Sequence, residues 1–473
     1  MSAFLSAAGV LVAALASAAA VLLPPGRARS AVMVVALVLF PVLILGDQWH
    51  SHQIVDLRHS SGKLAALLAV GAVAVVALAA VFRRWPVLLP LAIVAVLPFR
   101  VPLHSGGDTA NLLVPLYLVI AGGVLAVAVR DWSSPLPSRG RRHGPVLWLP
   151  RLLAAAVVLY ALQSFYSDDF SKALQNSCFF LVPFTVAYAL LADVEWDRRL
   201  LSWTLILVAL EAVAFVLIGS VEYLSRSLFW NDAVIRSNEF HTYFRVNSVF
   251  WDPNIYGRYL ALALVVVTTA LLWVKDRRPF WLLTGAILVL WIGLAQTFSQ
   301  SSFVALLGGL AVLAALRWSW RWTLAAVVVG VIGATLVVLL IGGKSVKLSD
   351  LPKRINIDTS GRGDLVSGGL ELWSERPLGG YGSGSFQQAY REHRADQKAP
   401  VTISHTEPVT ILAEQGVVGL ALYLGLIVVA LWTMGAGMWA RAPGGEPTVL
   451  DAARAAVLAT FVALLLHTLA YAG

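Results

Sequence analysis

A few charged residues in the second half of this chain have types and settings suited to chemistry. Arg245 sits in FRVNSVFWDPN, just ahead of an apolar run, and Arg258 lies one turn inside that run. A charge placed within apolar sequence is costly and marks a candidate site; pairing with Asp252 or with a lipid phosphate is the plainer alternative. Arg362, in TSGRGDL, opens a short amphipathic stretch, where a solvated arginine is the ordinary expectation. His405, in SHTEPVTILAEQ, stands where a polar stretch meets another apolar run that contains Glu414. Imidazole titrates near neutral pH, so it suits proton transfer. Most interfacial histidines are merely solvated. Asp168-Asp169 and His50-x-His52 are the other clusters. The histidine pair lacks two further ligands for a metal, and adjacent carboxylates are more often solvated than catalytic. The turn RPLGGYGSGSF at 376–386 holds four glycines but no P-loop lysine and no preceding strand, so a tight turn fits it better than a phosphate cradle.

The elements that must carry these residues are membrane helices. Of 473 residues, 59% are hydrophobic and 13% charged, and the mean hydropathy is +0.77. A soluble domain is about 45–50% apolar and about 25% charged, so a soluble enzyme is excluded, as is a disordered chain. One cysteine, Cys178, leaves no internal disulfide. The net charge of +9 is scattered between apolar runs, which speaks for a positive-inside bias rather than nucleic acid binding.

A helix needs about 20 apolar residues to cross the hydrocarbon core. Candidate spans are 3–23, 31–46, 64–82, 86–99, 111–129, 146–160, 174–192, 200–219, 254–274, 279–296, 302–317, 322–342, 408–432 and 448–472. The expected fold is thus an all-α polytopic bundle of about 14 (12–14) helices. The fourth, sixth and eleventh runs are short enough to be re-entrant. The first ends in ALASAAA, like a signal-peptidase site, but it lacks a basic n-region and is expected to be a retained helix.

Alternate short loops carry Arg27 and Arg29, Arg83 and Arg84, Arg130 to Arg151, Arg198 and Arg199, Lys275 to Arg278, Arg317 and Arg321, and Arg441. The loops between hold only Arg58, Lys63, Arg100 and Lys172. The basic set is expected in the cytoplasm, which puts both termini and two long loops, about 220–253 and 343–407, outside. The expected organisation is N-terminal helices at 1–129, a Pro/Arg-rich cytoplasmic linker at 130–151, and a second helical region at 152–473. The 343–407 loop has nine Lys/Arg and eight Asp/Glu, so it is no polybasic patch. Within it Leu365, Val366, Gly369, Leu370 and Trp373 recur at helical spacing, which predicts a short surface helix.

Three stretches resemble the O-antigen ligase/polymerase superfamily, bacterial membrane glycosyltransferases of the GT-C type. FRVNSVFWDPNIYGRYLAL resembles the family's arginine followed by D-P-N opening a span. TFSQSSFVALL resembles its T-x-S-R-small-small span. SGRGDLVSGGLELWSERPLGGYGSGSF through SHTEPVTILAEQGVVGLALYL resembles its long loop, with an arginine, a Trp, the glycine turn, a His and E-x-G-x-x-G. The likeness covers about 220–432.

The resemblance implies a glycosyltransferase in the bacterial plasma membrane with its site facing outside. It would move a glycan from a polyprenyl diphosphate, such as undecaprenyl diphosphate, to an acceptor hydroxyl on a glycan or glycolipid. It implies that Arg245 and Arg362 hold the diphosphate and that His405 acts on the acceptor. Arg258, Arg376, Glu407, Gln300 and Asp252 would line the substrates. Membrane lipids are the remaining partners, and no cofactor or metal is expected. Two departures stand out. Gln300 occupies the family's usual arginine position, with Arg258 or Arg376 as replacements, and Thr406 followed by Glu407 stands where an Asn is usual. A polymerase of the same superfamily is the nearest alternative; a lipid-linked glycan flippase is the alternative of another class, against which the lack of paired repeats speaks.

Overall fold

The computed structural model describes residues 3–47, 61–105, 108–133, 147–229, 231–240, 243–341, 362–393, 406–439 and 448–470. His50, His52, His405 and most of the 130–151 linker lie outside them. In chain order the elements are α1 (Ala3–Leu22), α2 (Arg27–Asp47), α3 (Ser61–Arg84), α4 (Leu88–Val96), β1 (Val101–Ser105), β2 (Asp108–Leu112), α5 (Val114–Ser133), α6 (Trp148–Gln163), α7 (Phe170–Asn176), α8 (Val182–Leu191) and α9 (Arg198–Ser225). There follow α10 (Asp232–Phe240), α11 (Pro253–Trp273), α12 (Arg277–Thr297), α13 (Gln300–Arg317), α14 (Trp320–Ile341), α15 (Arg362–Glu375), α16 (Phe386–His393), α17 (Glu407–Trp439) and α18 (Val449–Ala470).

The protein is a polytopic helical membrane protein. Twelve helices among the described residues are long and apolar enough to span. The sixth and eleventh runs of the sequence are full spans, Trp148–Tyr166 and Gln300–Arg317. The fourth is not: α4 has nine residues and gives way to a two-stranded antiparallel hairpin, β1 with β2, in register Val101↔Leu112 to Ser105↔Asp108. Nine residues rise only about 14 Å, half the hydrocarbon thickness. Many apolar side chains face outward, as on α3, where Leu67, Val70 and Val73 are exposed. Lipid is as apolar as leucine, so such faces need no protein cover.

The chain forms two compact units: 1–207 with 372–401 and 411–433, and 208–371 with 402–410 and 434–473. In the first, α1 packs on α2, α6 and α8, and α3 on α5. Its core is rich in small side chains, such as Ala13, Ala14, Ala20 and Ala36, which let helix backbones approach where no hydrophobic driving force acts between spans. Arg29 is buried at one helix end, where its guanidinium donates to the Ala20 and Ala189 carbonyls and pairs with Asp193. A short π segment, Ser177–Leu181, links α7 to α8 within one span.

In the second unit α11 packs against α12, α13 and α18, and α13 lies along α18. The contact again uses small residues. A Cβ on Gly309 would stand 2.6 Å from Val265 and 3.2 Å from the Ala459 carbonyl oxygen.

Candidate functional site

The second unit gathers most of the polar residues singled out in the sequence around one helix start. α12 ends at Thr297, Phe298 takes a left-handed conformation (φ 49°), and extended Ser299 caps α13. The Ser299 hydroxyl does not bond an amide of α13. It lies 3.2 Å from the Ser301 hydroxyl and 2.8 Å from that of Ser302. Of the opening amides, Ser299 N–H donates to Thr297 Oγ1 and Ser302 N–H to the Ser299 carbonyl; those of Gln300 and Ser301 belong to the first turn, whose donors an α-helix does not satisfy internally, and this side chain does not cap them. Gln300 is exposed at the first turn.

Arg245 reaches this turn from the segment before α11. Its Nε donates to the Thr297 carbonyl at 2.9 Å and a terminal nitrogen donates to Asn254 Oδ1 at 2.9 Å. Its own backbone is clasped by the Asn238 amide, which accepts from the Arg245 N–H and donates to its carbonyl, each at 3.0 Å. Asp252 caps α11, accepting from the N–H of Asn254 and Ile255. It thus positions the helix that carries Asn254 and Arg258. Gly257 lets α11 come this close: a Cβ there would meet Ser302 Oγ at 2.6 Å and Ser299 Cβ at 3.0 Å.

Arg258 is half-buried, and its Nε donates to His467 Nδ1 at 3.1 Å. The other ring nitrogen lies 3.3 Å from both the Ser301 and Ser302 hydroxyls. Glu407, the first residue of α17, lies within electrostatic reach of Arg258. Arg362 opens α15. On α15 the buried residues are Gly368, Gly369 and Leu372, whereas Leu370, expected on the apolar face, is exposed. The buried face is thus turned slightly from the one read in the sequence.

Two residues of this region were not anticipated. Glu222, fully buried in α9, accepts from the backbone N–H groups of Phe229, Asn247 and Ser248. Three such bonds make a buried carboxylate tolerable and fix the segment just after Arg245. His467, also fully buried, is the second. His467 has no other ionisable residue near it in its apolar run, and Glu222 shares its run with Glu211; charge within apolar sequence was the available signal.

The first unit holds the glycine turn, and there the backbone amides are occupied by the protein itself. Glu414, on α17, accepts from the N–H of Gly384 at 2.9 Å and of Phe386 at 3.2 Å. The N–H groups of Tyr381 and Gly382 donate to the carbonyls of Ala413 and Glu414. Gly380, Gly382 and Gly384 have φ of 65°, 95° and 75°, which favours glycine. α17 breaks at Gly416 (φ 66°, ψ −166°), where Val417 N–H donates to the Pro377 carbonyl. The turn is a structural clasp, as its lack of a P-loop lysine suggested.

Beside it, Arg376 is exposed, lies over the Tyr381 ring at 4.2 Å and pairs loosely with Asp168 at 3.9 Å. Asp169 caps α7 through the Lys172 N–H. Tyr381 donates its hydroxyl hydrogen to Glu375, and burial, then the Glu375 carboxylate, pushes that hydroxyl up to about 12. His393 contacts Glu375 at 2.8 Å and the Ala389 carbonyl at 2.9 Å. The carbonyl bond first, and Glu375 with it, raises the imidazole above its usual range; bonds from Tyr381 and then His393 lower Glu375. A ring that donates from both nitrogens is an imidazolium, and these two contacts, with the raised imidazole, favour that charged form. Among the described residues no group of three or more His, Cys, Asp and Glu converges as a metal site would require.

The model of the O-antigen ligase family matches residues 285–424. That stretch runs from within α12 through the Thr297–Ser302 turn, α13, α15 and the glycine clasp into α17. It supports the likeness of this stretch to the O-antigen ligase/polymerase superfamily. No curated protein matches the chain. Of the residues singled out above, this O-antigen ligase match contains Gln300, Arg362, Arg376, His405, Glu407 and Glu414, while Arg245, Asp252, Arg258, Glu222 and His467 lie outside it.

Proposed function

We propose that this superfamily member transfers a glycan from a polyprenyl diphosphate to an acceptor hydroxyl at the outer face of the bacterial plasma membrane. The observation that carries the reading is the approach of Arg245 and, through His467, Arg258 to the start of α13, where the cap side chain bonds no amide. A helix N-terminus carries partial positive charge and offers amides to an anion, and two guanidiniums add fixed charge. As the glycosidic bond breaks, the diphosphate leaving group gains negative charge, and preorganised cations stabilise that charge more in the transition state than before it. Arg362 adds a third cation in this reading. Arg258 takes the place of the missing arginine, because Gln300 has none to give. His405 accepts the acceptor's proton, and Glu407 lies two residues on. Ligase and polymerase differ in the acceptor and share this chemistry.

Donor charge is neutralised by arginine here, so the reaction is proposed to need no divalent ion. Transfer that stops in chelator and returns with magnesium would count against this and bring Asp168 and Asp169 forward.

The test is the lipid-linked pool in cells. Deleting the gene should cause polyprenyl-diphosphate-linked glycan to accumulate, and wild type should clear it. An unchanged pool in the deletion strain would overturn the proposal.

A further inference from the structure

The last span carries a histidine that no apolar packing requires. His467 is 0% exposed, and an ionisable residue inside a span is costly unless it has partners and a role. Its partners are specific. Arg258 Nε–H points at Nδ1, 3.1 Å away. A guanidinium nitrogen only donates, so Nδ1 must present its lone pair, and the ring hydrogen of the neutral imidazole sits on Nε2. That hydrogen faces the hydroxyls of Ser301 and Ser302, each 3.3 Å away, and both serines touch Ser299, the cap of α13. The ring therefore ties a guanidinium on α11 to the start of α13, using one nitrogen for each.

We infer that His467 is a positioning residue that aims Arg258 at the donor diphosphate beside the start of α13. This rests on the proposed function, in which Arg258 supplies the charge that Gln300 cannot. Holding Nε fixes the guanidinium plane, and with it the direction of the two terminal nitrogens that match a phosphate bidentately. An unheld arginine on a flexible stem would spend conformational entropy on each binding event. A histidine in the final span, outside the matched residues 285–424, thus becomes part of the donor site.

The two amide side chains separate this role from simple packing. Asparagine puts an oxygen close to where Nδ1 lies and can still accept from Arg258. Glutamine reaches the Nε2 position and keeps the serine contact but loses the acceptor. Binding of undecaprenyl diphosphate is measured on the full chain in detergent, for wild type, His467→Asn, His467→Gln, Arg258→Gln, the double variant Arg258→Gln with His467→Gln, and Arg245→Ala as reference. All are first matched for gel-filtration profile and thermal unfolding. His467→Gln should weaken binding by about 10-fold or more, the scale of a lost hydrogen bond to a charged group, and His467→Asn by less than ~3-fold. The double variant should bind no more weakly than Arg258→Gln, since the histidine acts only through that arginine. Equal effects of Asn and Gln, or losses that add in the double variant, would overturn the inference. If Arg245→Ala binds as wild type does, the donor-site reading itself fails, and that outcome is distinct from a failure at His467.

Discussion

Two regions of this molecule look suited to anions, and they differ in where their backbone amides go. The glycine clasp at 376–386 has the composition of a phosphate loop, yet its N–H groups are taken by Glu414 and by the carbonyls of Ala413 and Glu414. Its anion is a side chain of the protein. The start of α13 has no glycine run, but its cap residue spends its hydroxyl on two neighbouring serines, and two arginines are tethered to it. Asking where each backbone donor finds its partner separates the two better than composition does. One region holds the fold, and the other is where we propose that a ligand is held.

The largest effects should come from the arginines proposed to hold the donor. Arg245→Ala and Arg362→Ala are each expected to remove transfer by purified protein with a lipid-diphosphate donor. Lysine should restore little at either position, because it keeps the charge and loses the fork. Wild-type-like turnover in Arg245→Ala would erase the contrast between the regions.

Next comes His405. As a general base it should contribute about 10²–10⁴-fold to kcat. His405→Ala should lose that factor while still binding donor, and activity of the wild type should fall as pH drops through the histidine's range. A His405→Gln variant within about threefold of wild type would leave it a binding residue, since an amide can imitate a hydrogen bond but cannot take a proton at neutral pH.

The clasp should respond in stability instead. Gly384 has φ of 75°, and a Cβ there would lie 2.7 Å from the backbone nitrogen of Ala173. Gly384→Ala should cost at least about 1–3 kcal/mol from backbone strain alone and lower the unfolding temperature in detergent. A variant that melts with wild type while losing donor binding would reverse the roles assigned to the two regions.

The smallest expected effect is the pH response beside the clasp. His393 is raised above its ordinary 6.5, so its contribution is complete below about 6.5 and is lost as pH rises through the raised value. Glu375 is lowered from 4.5, so its part is present above about 4.5 and is lost only as pH falls through the lowered value. Wild type should therefore exceed His393→Ala in thermal stability by more at pH 6 than at pH 8.5. The opposite slope would mean that His393 does not carry its charge in the folded protein.

Much of this was legible in the sequence, for physical reasons. Hydropathy over about 20 residues is a strong constraint, and it failed chiefly at 86–99, where nine helical residues lead into a hairpin. Arg245 and Arg258 were visible because charge beside apolar sequence is rare. The serine turn was visible only by family likeness, and its meaning lay in the conformation of Phe298 and the unused cap of Ser299. Glu222 and His467 lie in separate apolar runs, 245 positions apart in the chain, and nothing in one dimension ties them to the same site. The amphipathic face of α15 was read slightly out of phase, because glycine counts little in hydropathy yet here forms the buried stripe.

The break at Gly416 divides α17 in a way that matters for the bilayer. Unbroken, 33 residues would make a rod of about 50 Å, far longer than the hydrocarbon layer of about 30 Å. The part after the glycine, 417–439, is about 35 Å long and is sufficient to cross by itself. The nine residues before it are a separate arm, with Glu407 at one end and Glu414 near the joint. The crossing rod and the arm can therefore take different tilts, and the membrane's thickness dictates only the first of them.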